Sequence, residues 1–260
     1  LKSPKLESRI GACQALAQLK DKAAPAVPAL TKTLKADDLW LRIQAAEALA
    51  AIGEPAMSVV PQLLDMITRG PTKDDPRAME QRYLCNTVFR QMLRKSLDGV
   101  DRDQLRKAVA AGLQNQDGRS RGTIGGIYHQ LSYEELRPLL PAIHESIVTP
   151  APSGIMFADG IRLAGIDLLA KHRIAEGMPL CIDIMDIERW NKRSRVSRCL
   201  QTLAKYRAAA KPMLPKLREV EQGLLTHREA KNLQPLIAEL RSVASEIENA
   251  TGTVELRRLR

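Results

Sequence analysis

The chain has 260 residues, 44% apolar and only 3% aromatic, with a formal net charge of +10. That apolar content can build a substantial core, yet no run approaches the roughly 18 uninterrupted apolar residues of a membrane-spanning helix. The scarcity of aromatics leaves few of the stacking platforms that hold single-stranded nucleic acid, and the prevalence of alanine and leucine is the composition of closely packed helices.

The chain opens on Leu1, without a methionine and inside what already reads as a helix, which implies a piece of a longer protein. Arg9-Ile10-Gly11-Ala12-Cys13-Gln14-Ala15-Leu16 aligns with Arg42-Ile43-Gln44-Ala45-Ala46-Glu47-Ala48-Leu49 at an offset of 33, and Pro28-Ala29-Leu30 aligns with Pro61-Gln62-Leu63. The same plan continues at looser spacing. Leading arginines fall at Arg9, Arg42, Arg82, Arg121, Arg162 and Arg195, separated by 33, 40, 39, 41 and 33 residues. Each opens a first helix with apolar residues at helical spacing, such as Leu163, Ile166, Leu169 and Ala170 in the fifth and Val196, Cys199, Leu200 and Leu203 in the sixth. A break follows, as at Gly53-Glu54-Pro55, Glu176-Gly177 and Lys211-Pro212, and then a second helix with Pro-x-Leu at 28–30, 61–63 and 215–217. Proline is tolerated in a first turn, where its missing N–H would be unpaired anyway.

Asp37-Asp38 and Asp74-Asp75 precede first helices and suit N-caps. The longer spacings place insertions near 69–73, 98–101 and 149–154. The last is followed by Ile155-Met156-Phe157, expected to cap the core of the next repeat, with a partner anchor as the alternative. Residues 233–249 read as one amphipathic helix with Leu236, Leu240, Val243 and Ile247 on one face, sealing the last repeat. Residues 251–260 form a short basic tail, extended or disordered.

A unit of this length cannot bury its apolar face alone, so copies must stack. The expected fold is all-α: a right-handed α-solenoid of about six helix pairs over residues 1–228, with a C-terminal capping helix and basic tail at 229–260 in the same continuous domain. The pattern Asp-x-x-x-Arg-x-x-Ala-x-x-Ala-Leu-x-x-(Leu/Ile)-Gly is clean from Asp38 to Gly53. It resembles HEAT repeats, and more closely the short bacterial subclass called PBS-lyase HEAT-like repeats, over roughly residues 5 to 225. The resemblance implies a non-catalytic interaction or scaffold module of a larger bacterial protein, binding a protein partner through the solenoid groove.

The charge is concentrated. Arg189, Lys192, Arg193, Arg195, Arg198, Lys205, Arg207, Lys211, Lys216 and Arg218 fall in one stretch without an acidic residue, which accounts for the whole net excess. Arg195, Arg198, Thr202 and Lys205 share one flank of the sixth repeat's first helix. These ten residues are the candidate patch for an anionic partner, whether an acidic protein surface, a phosphate backbone or lipid headgroups. The plainer reading is a solvated end face whose charge is answered by Glu219, Glu221 and Glu229. The leading arginines are expected to be structural, pairing with acids of the adjacent unit.

The alternative function is nucleic-acid binding through the sixth repeat, including base excision of the kind HEAT-like DNA glycosylases perform. That chemistry uses tryptophans and a carboxylate on one surface, whereas Trp40 and Trp190 lie far apart in sequence; Asp186 and Glu188 are near Trp190. HEAT-type iron hydroxylases need repeated His-Glu pairs, and only His144-Glu145 occurs. Nothing identifies the chromophore site of a bilin lyase. His129, His144, His172 and His227 lack zinc-ligand spacing with cysteine. Gly122, Gly125 and Gly126 have no preceding strand to make a phosphate loop, so close packing or a bent helix is expected there. Cys13, Cys85, Cys181 and Cys199 read as small core hydrophobes. No catalytic constellation, cofactor or metal is expected.

Overall fold

A repeat is assembled from three local events, clearest in the second. Asp38 takes the N-cap of its first helix, its carboxylate accepting from the Leu41 amide at 2.8 Å. The helix ends at Gly53, whose φ of 81° is costly for a residue with a Cβ. A 3-10 stretch, Glu54–Val59, then runs straight into the second helix, with Pro61 in its opening turn. The first repeat does the same with Lys20 at φ 52° in the place of Gly53, followed by Lys20–Ala26 and Pro28. Arg173 and Arg207, eleven and twelve residues after their leading arginines, also have positive φ.

The computed structural model describes residues 1–259. Its helices are α1 Leu6–Leu19, α2 Val27–Thr33, α3 Leu39–Ile52, α4 Val60–Arg69, α5 Met79–Cys85, α6 Arg102–Leu113 and α7 Gly118–Ile124. After them come α8 Tyr133–Leu136, α9 Leu140–Val148, α10 Ala158–Lys171, α11 Gly177–Ile184, α12 Lys192–Ala204, α13 Leu214–Thr226 and α14 Gln234–Asn249. No strand occurs among the described residues, only two isolated bridges. The fold is all-α, built from stacked helix pairs.

The chain forms two compact units. One holds residues 1–142 and 150–161; the other holds 143–149 and the remainder from Arg162. In the first unit α1, α3 and α5 pack side by side, and α4 packs on α6. Leu41, Leu49, Leu63, Ile67, Leu84 and Phe89 are fully buried there, each contributing about 1.5–3 kcal/mol of transfer free energy. In the second unit α11 and α14 flank α12, and α13 packs on α14. Leu236, Leu240, Val243 and Ile247 are all buried, as the amphipathic pattern of α14 requires.

The third and fourth repeats depart from regular α geometry. The helix begun by α5 widens into π turns at Asn86–Met92, and α7 tightens into a 3-10 stretch at Gly125–Gln130. At Gly122 a Cβ would lie 3.8 Å from the Gly160 Cα in α10, an ordinary van der Waals contact, so the packing there leaves room for a small side chain. All four cysteines are buried, and burial pushes the Cys85 thiol up to about 12.

Two expectations meet their outcome at the segment ends. Ile155 and Met156 are not covered by the next repeat; they stand 57% and 58% exposed on a single 3-10 turn. Phe157 instead lies under the Arg119 guanidinium, 4.1 Å from its ring centre. The tail is extended and docked: Arg257 donates to Arg173 O at 2.9 Å and accepts from the Ala175 amide at 3.0 Å.

Candidate interaction surface

Four of the leading arginines, Arg42, Arg121, Arg162 and Arg195, hold the chain that enters their repeats. Arg42 donates to the Ala36 and Asp37 carbonyls at 2.8 Å each and pairs with Glu80 of the next repeat at 2.5 Å. Arg82 pairs with Asp117 of the next repeat at 3.6 Å. Arg121 donates to Asn115 O at 2.7 Å, and Arg162 to Ile147 O at 3.0 Å. Arg195, 1% exposed, donates to the carbonyls of Asp186, Arg189 and Trp190. A guanidinium suits this task because its planar fork presents several donors at fixed angles. The acidic ladder expected from sequence is present at Arg42 and Arg82, but the more general partner is the loop carbonyl.

The ten basic residues of the sixth repeat are therefore not one open patch. Arg195 is inside the fold. Arg198 and Lys205 converge with the Thr202 hydroxyl on Asp167, a carboxylate of the preceding repeat. Burial alone would raise the Asp167 pKa. The hydrogen bonds from Thr202, Lys205 and Arg198 outweigh it, leaving the group below the usual aspartate range. Lys192 pairs with Glu229 at 3.1 Å, Lys216 with Glu219 at 3.5 Å and Arg218 with Glu248 at 3.7 Å. Arg189 lies by the Trp190 ring, 6.0 Å from its centroid. Arg193, Arg207 and Lys211 are exposed. Asp167 was invisible to a charge count taken along the chain, since it sits 31 and 38 residues before the cations it neutralises.

A different surface offers a concavity. In the first unit a groove of about 750 Å³ is lined by the 34–37 loop, by Leu39 and Arg42 of α3, by Gln62, Asp65 and Arg69 of α4, and by Thr72, Asp74, Asp75 and Glu80. Some of its charges are committed to the fold. Asp75 caps α5, accepting from the Met79 and Glu80 amides at 2.8 Å each, and Glu80 is held by Arg42. Asp65 accepts from the Gln104 amide at 2.6 Å yet stays exposed, as do Asp37, Asp74, Lys35 and Arg69. The lining holds five carboxylates against three cations and no aromatic ring.

The remaining sequence candidates are accounted for locally. Trp40 meets Tyr83 edge-on with centroids 5.6 Å apart. Trp190 is 57% exposed, and the Asp186 carboxylate beside it accepts from the Glu188 and Arg189 amides, holding a turn. His227 is buried and accepts from the Glu229 amide. No group of three or more His, Cys, Asp or Glu side chains able to hold a metal ion occurs among the described residues, and no helix is long and apolar enough to cross a membrane.

Residues 1–82 match the family model for HEAT repeats. The match covers the two units of exact 33-residue spacing and ends at the third leading arginine; it does not single out the short bacterial subclass. Comparison with curated proteins finds no match. HEAT repeats generally mediate protein–protein interaction or scaffolding.

Proposed function

We propose that this chain, which carries HEAT repeats, is a non-catalytic protein-interaction module that holds an extended, lysine- or arginine-bearing segment of a partner protein in the groove of its first unit. The observation that carries this reading is the groove itself: about 750 Å³, framed by residues from 34 to 80, with carboxylates outnumbering cations. Asp37, Asp65 and Asp74 provide the attraction; Arg42 and Asp75 fix the loops that display Asp37 and Asp74, and α4 carries Asp65. Charge on such a rim acts mainly on encounter rate and orientation. Main-chain and apolar contacts along the extended segment would supply the lifetime of the complex.

Nucleic acid is the weaker reading. A wall with excess carboxylates repels phosphates. In the sixth repeat Arg195 lies inside the fold, Arg198 and Lys205 share Asp167 and Lys192 is held by Glu229, so the run offers a duplex fewer cations than its ten residues suggest.

The test is fluorescence anisotropy with a labelled lysine-rich extended peptide and with labelled duplex DNA at physiological salt. The peptide is expected to bind, and Asp65→Lys with Asp74→Lys to weaken it about tenfold. DNA binding tighter than the peptide, unaffected by those substitutions, would remove this reading.

A further inference from the structure

The junction between α10 and α11 presents a short main-chain edge, and the C-terminal tail lies along it. α10 closes in a Schellman arrangement: Ile174 N–H donates to Leu169 O at 2.9 Å and Arg173 N–H to Ala170 O at 3.0 Å. The turn into α11 then uses Ile174 O, which accepts from the Gly177 amide at 3.0 Å. Between these closures the Arg173 carbonyl and the Ala175 amide pair with the tail. Arg257 N–H donates to Arg173 O at 2.9 Å, and Arg257 O accepts from Ala175 N–H at 3.0 Å, a parallel bridge opposite Ile174. An acceptor and a donor two residues apart are what an extended strand needs in order to add to an edge. Glu176 borders the same edge. Its Oε1 stands 3.8 Å from Arg258, and its Oε2 is buried with no hydrogen-bond partner among the described residues. In the tail Val254, Leu256 and Leu259 are half-buried while Glu255, Arg257 and Arg258 are exposed; over 254–257 that is the alternation of a strand lying on a surface.

We propose that the edge at residues 173–176 is a binding site for an extended segment of a partner protein, with apolar residues two apart and an arginine after them, and that residues 253–259 are the strap that fills it in the free chain. The edge belongs to the second unit, and its assignment does not rest on the groove reading. The strap itself displays the pattern the site takes: half-buried residues at 254 and 256, main-chain pairing at 257, and a cation at 258 turned to Glu176. The last contact is the one left incomplete. A guanidinium that reached both Glu176 oxygens would form the bidentate pair that Arg258 does not, which gives a partner segment an advantage over the strap. Release of the strap is also local. Among the described residues its main-chain pairing with the edge runs through Arg257 alone, so α10, α11 and α12 keep their own hydrogen bonds when it lifts. Gly252, at φ 89° just after α14, lets the chain turn there without steric penalty. Opening of this kind costs far less than unfolding.

The experiment follows the Ile174, Ala175 and Glu176 amides by NMR in the full chain while the peptide Thr-Val-Glu-Leu-Arg-Arg-Leu, the sequence of residues 253–259, is added. In the wild type the strap competes, so the peptide meets only the fraction of molecules with the edge open. Arg257→Pro removes the N–H that the strap donates and leaves the receiving edge as it is. Binding to that variant is expected to be saturable and about tenfold tighter than to the wild type. The peptide with proline for its first arginine should not bind, and the one with glutamine for its second should bind several-fold more weakly. Asp65→Lys with Asp74→Lys should leave these shifts unchanged, which separates this site from the groove. In the wild type alone, the Ala175 amide should exchange with deuterium far faster than that of Leu200, buried in α12. No saturable shift in Arg257→Pro up to about 1 mM peptide, or an Ala175 amide as slow as Leu200, overturns the proposal. Dimerisation of the wild type that rises with concentration and is lost in Arg257→Pro also overturns it, since the occupant would then be a second copy's tail.

Discussion

Arg195 and Arg193 stand two positions apart in one basic run and do opposite things. Arg195 closes three carbonyls of the 186–190 turn from inside the fold, so Arg195→Ala removes the donor they share. It is expected to cost about 3 kcal/mol. Arg193→Ala, on an exposed side chain, should stay within about 0.5 kcal/mol; urea unfolding of the two variants measures both. Asp167 gives the matching pH signature. Its folded pKa lies below the ordinary aspartate value, near 3.9 when unfolded, so the unfolded chain takes up the proton first as pH falls. The stability it contributes is complete well above that value and is lost as pH drops through the folded pKa. Asp167→Asn should therefore lower stability at neutral pH and flatten its acid dependence below about pH 4, seen in unfolding curves across that range. Residue types announced that the leading arginines were structural and, at Arg42 and Arg82, that an acid of the next repeat pairs with them, but their carbonyl partners were not legible. A loop carbonyl has no sequence signature, and Asp167 meets its cations only through the stacking of two repeats.

At the scale of elements, the repeat was readable where helices keep 3.6 residues per turn and blurred where they do not. The first two repeats match residue for residue because α1 and α3 are regular and end at the equivalent positions Lys20 and Gly53. In the third, π turns at Asn86–Met92 rotate the apolar stripe, and in the fourth a 3-10 stretch rotates it the other way. A pattern search tuned to one period loses both. Ile155-Met156-Phe157 was misjudged for a related reason: three apolar residues on one 3-10 turn cannot all face one core. Element junctions also set where glycine is required. A Cβ on Gly177, at the start of α11, would lie 2.1 Å from Tyr206 Oη and 2.8 Å from Leu169 Cβ, and Tyr206 Oη is already committed to Ile174 O at 2.8 Å. Gly177→Ala should destabilise by about 2–3 kcal/mol. Gly11, in α1, meets nothing within 4 Å, so Gly11→Ala should stabilise by about 0.5–1 kcal/mol. Chemical denaturation of the pair decides whether the repeat junction or helix propensity governs.

At the scale of the whole chain, the net charge of +10 suggested an anionic partner at the sixth repeat. Pairing within the fold engages part of that charge, while acids gather around the groove of the first unit. The fold class was legible because a 33-residue repeat dictates stacking. A groove was expected of the solenoid, but its acidic lining was not legible, because it comes from three segments brought together by that stacking. The measurement that tests the account most directly is hydrogen–deuterium exchange of the full chain with and without a lysine-rich extended peptide. Protection confined to residues 34–42 and 62–80 is predicted, and it should vanish in the variant with Asp65→Lys and Asp74→Lys. Protection at residues 189–218, with the groove unchanged, would contradict it and return the basic repeat to the centre of the function.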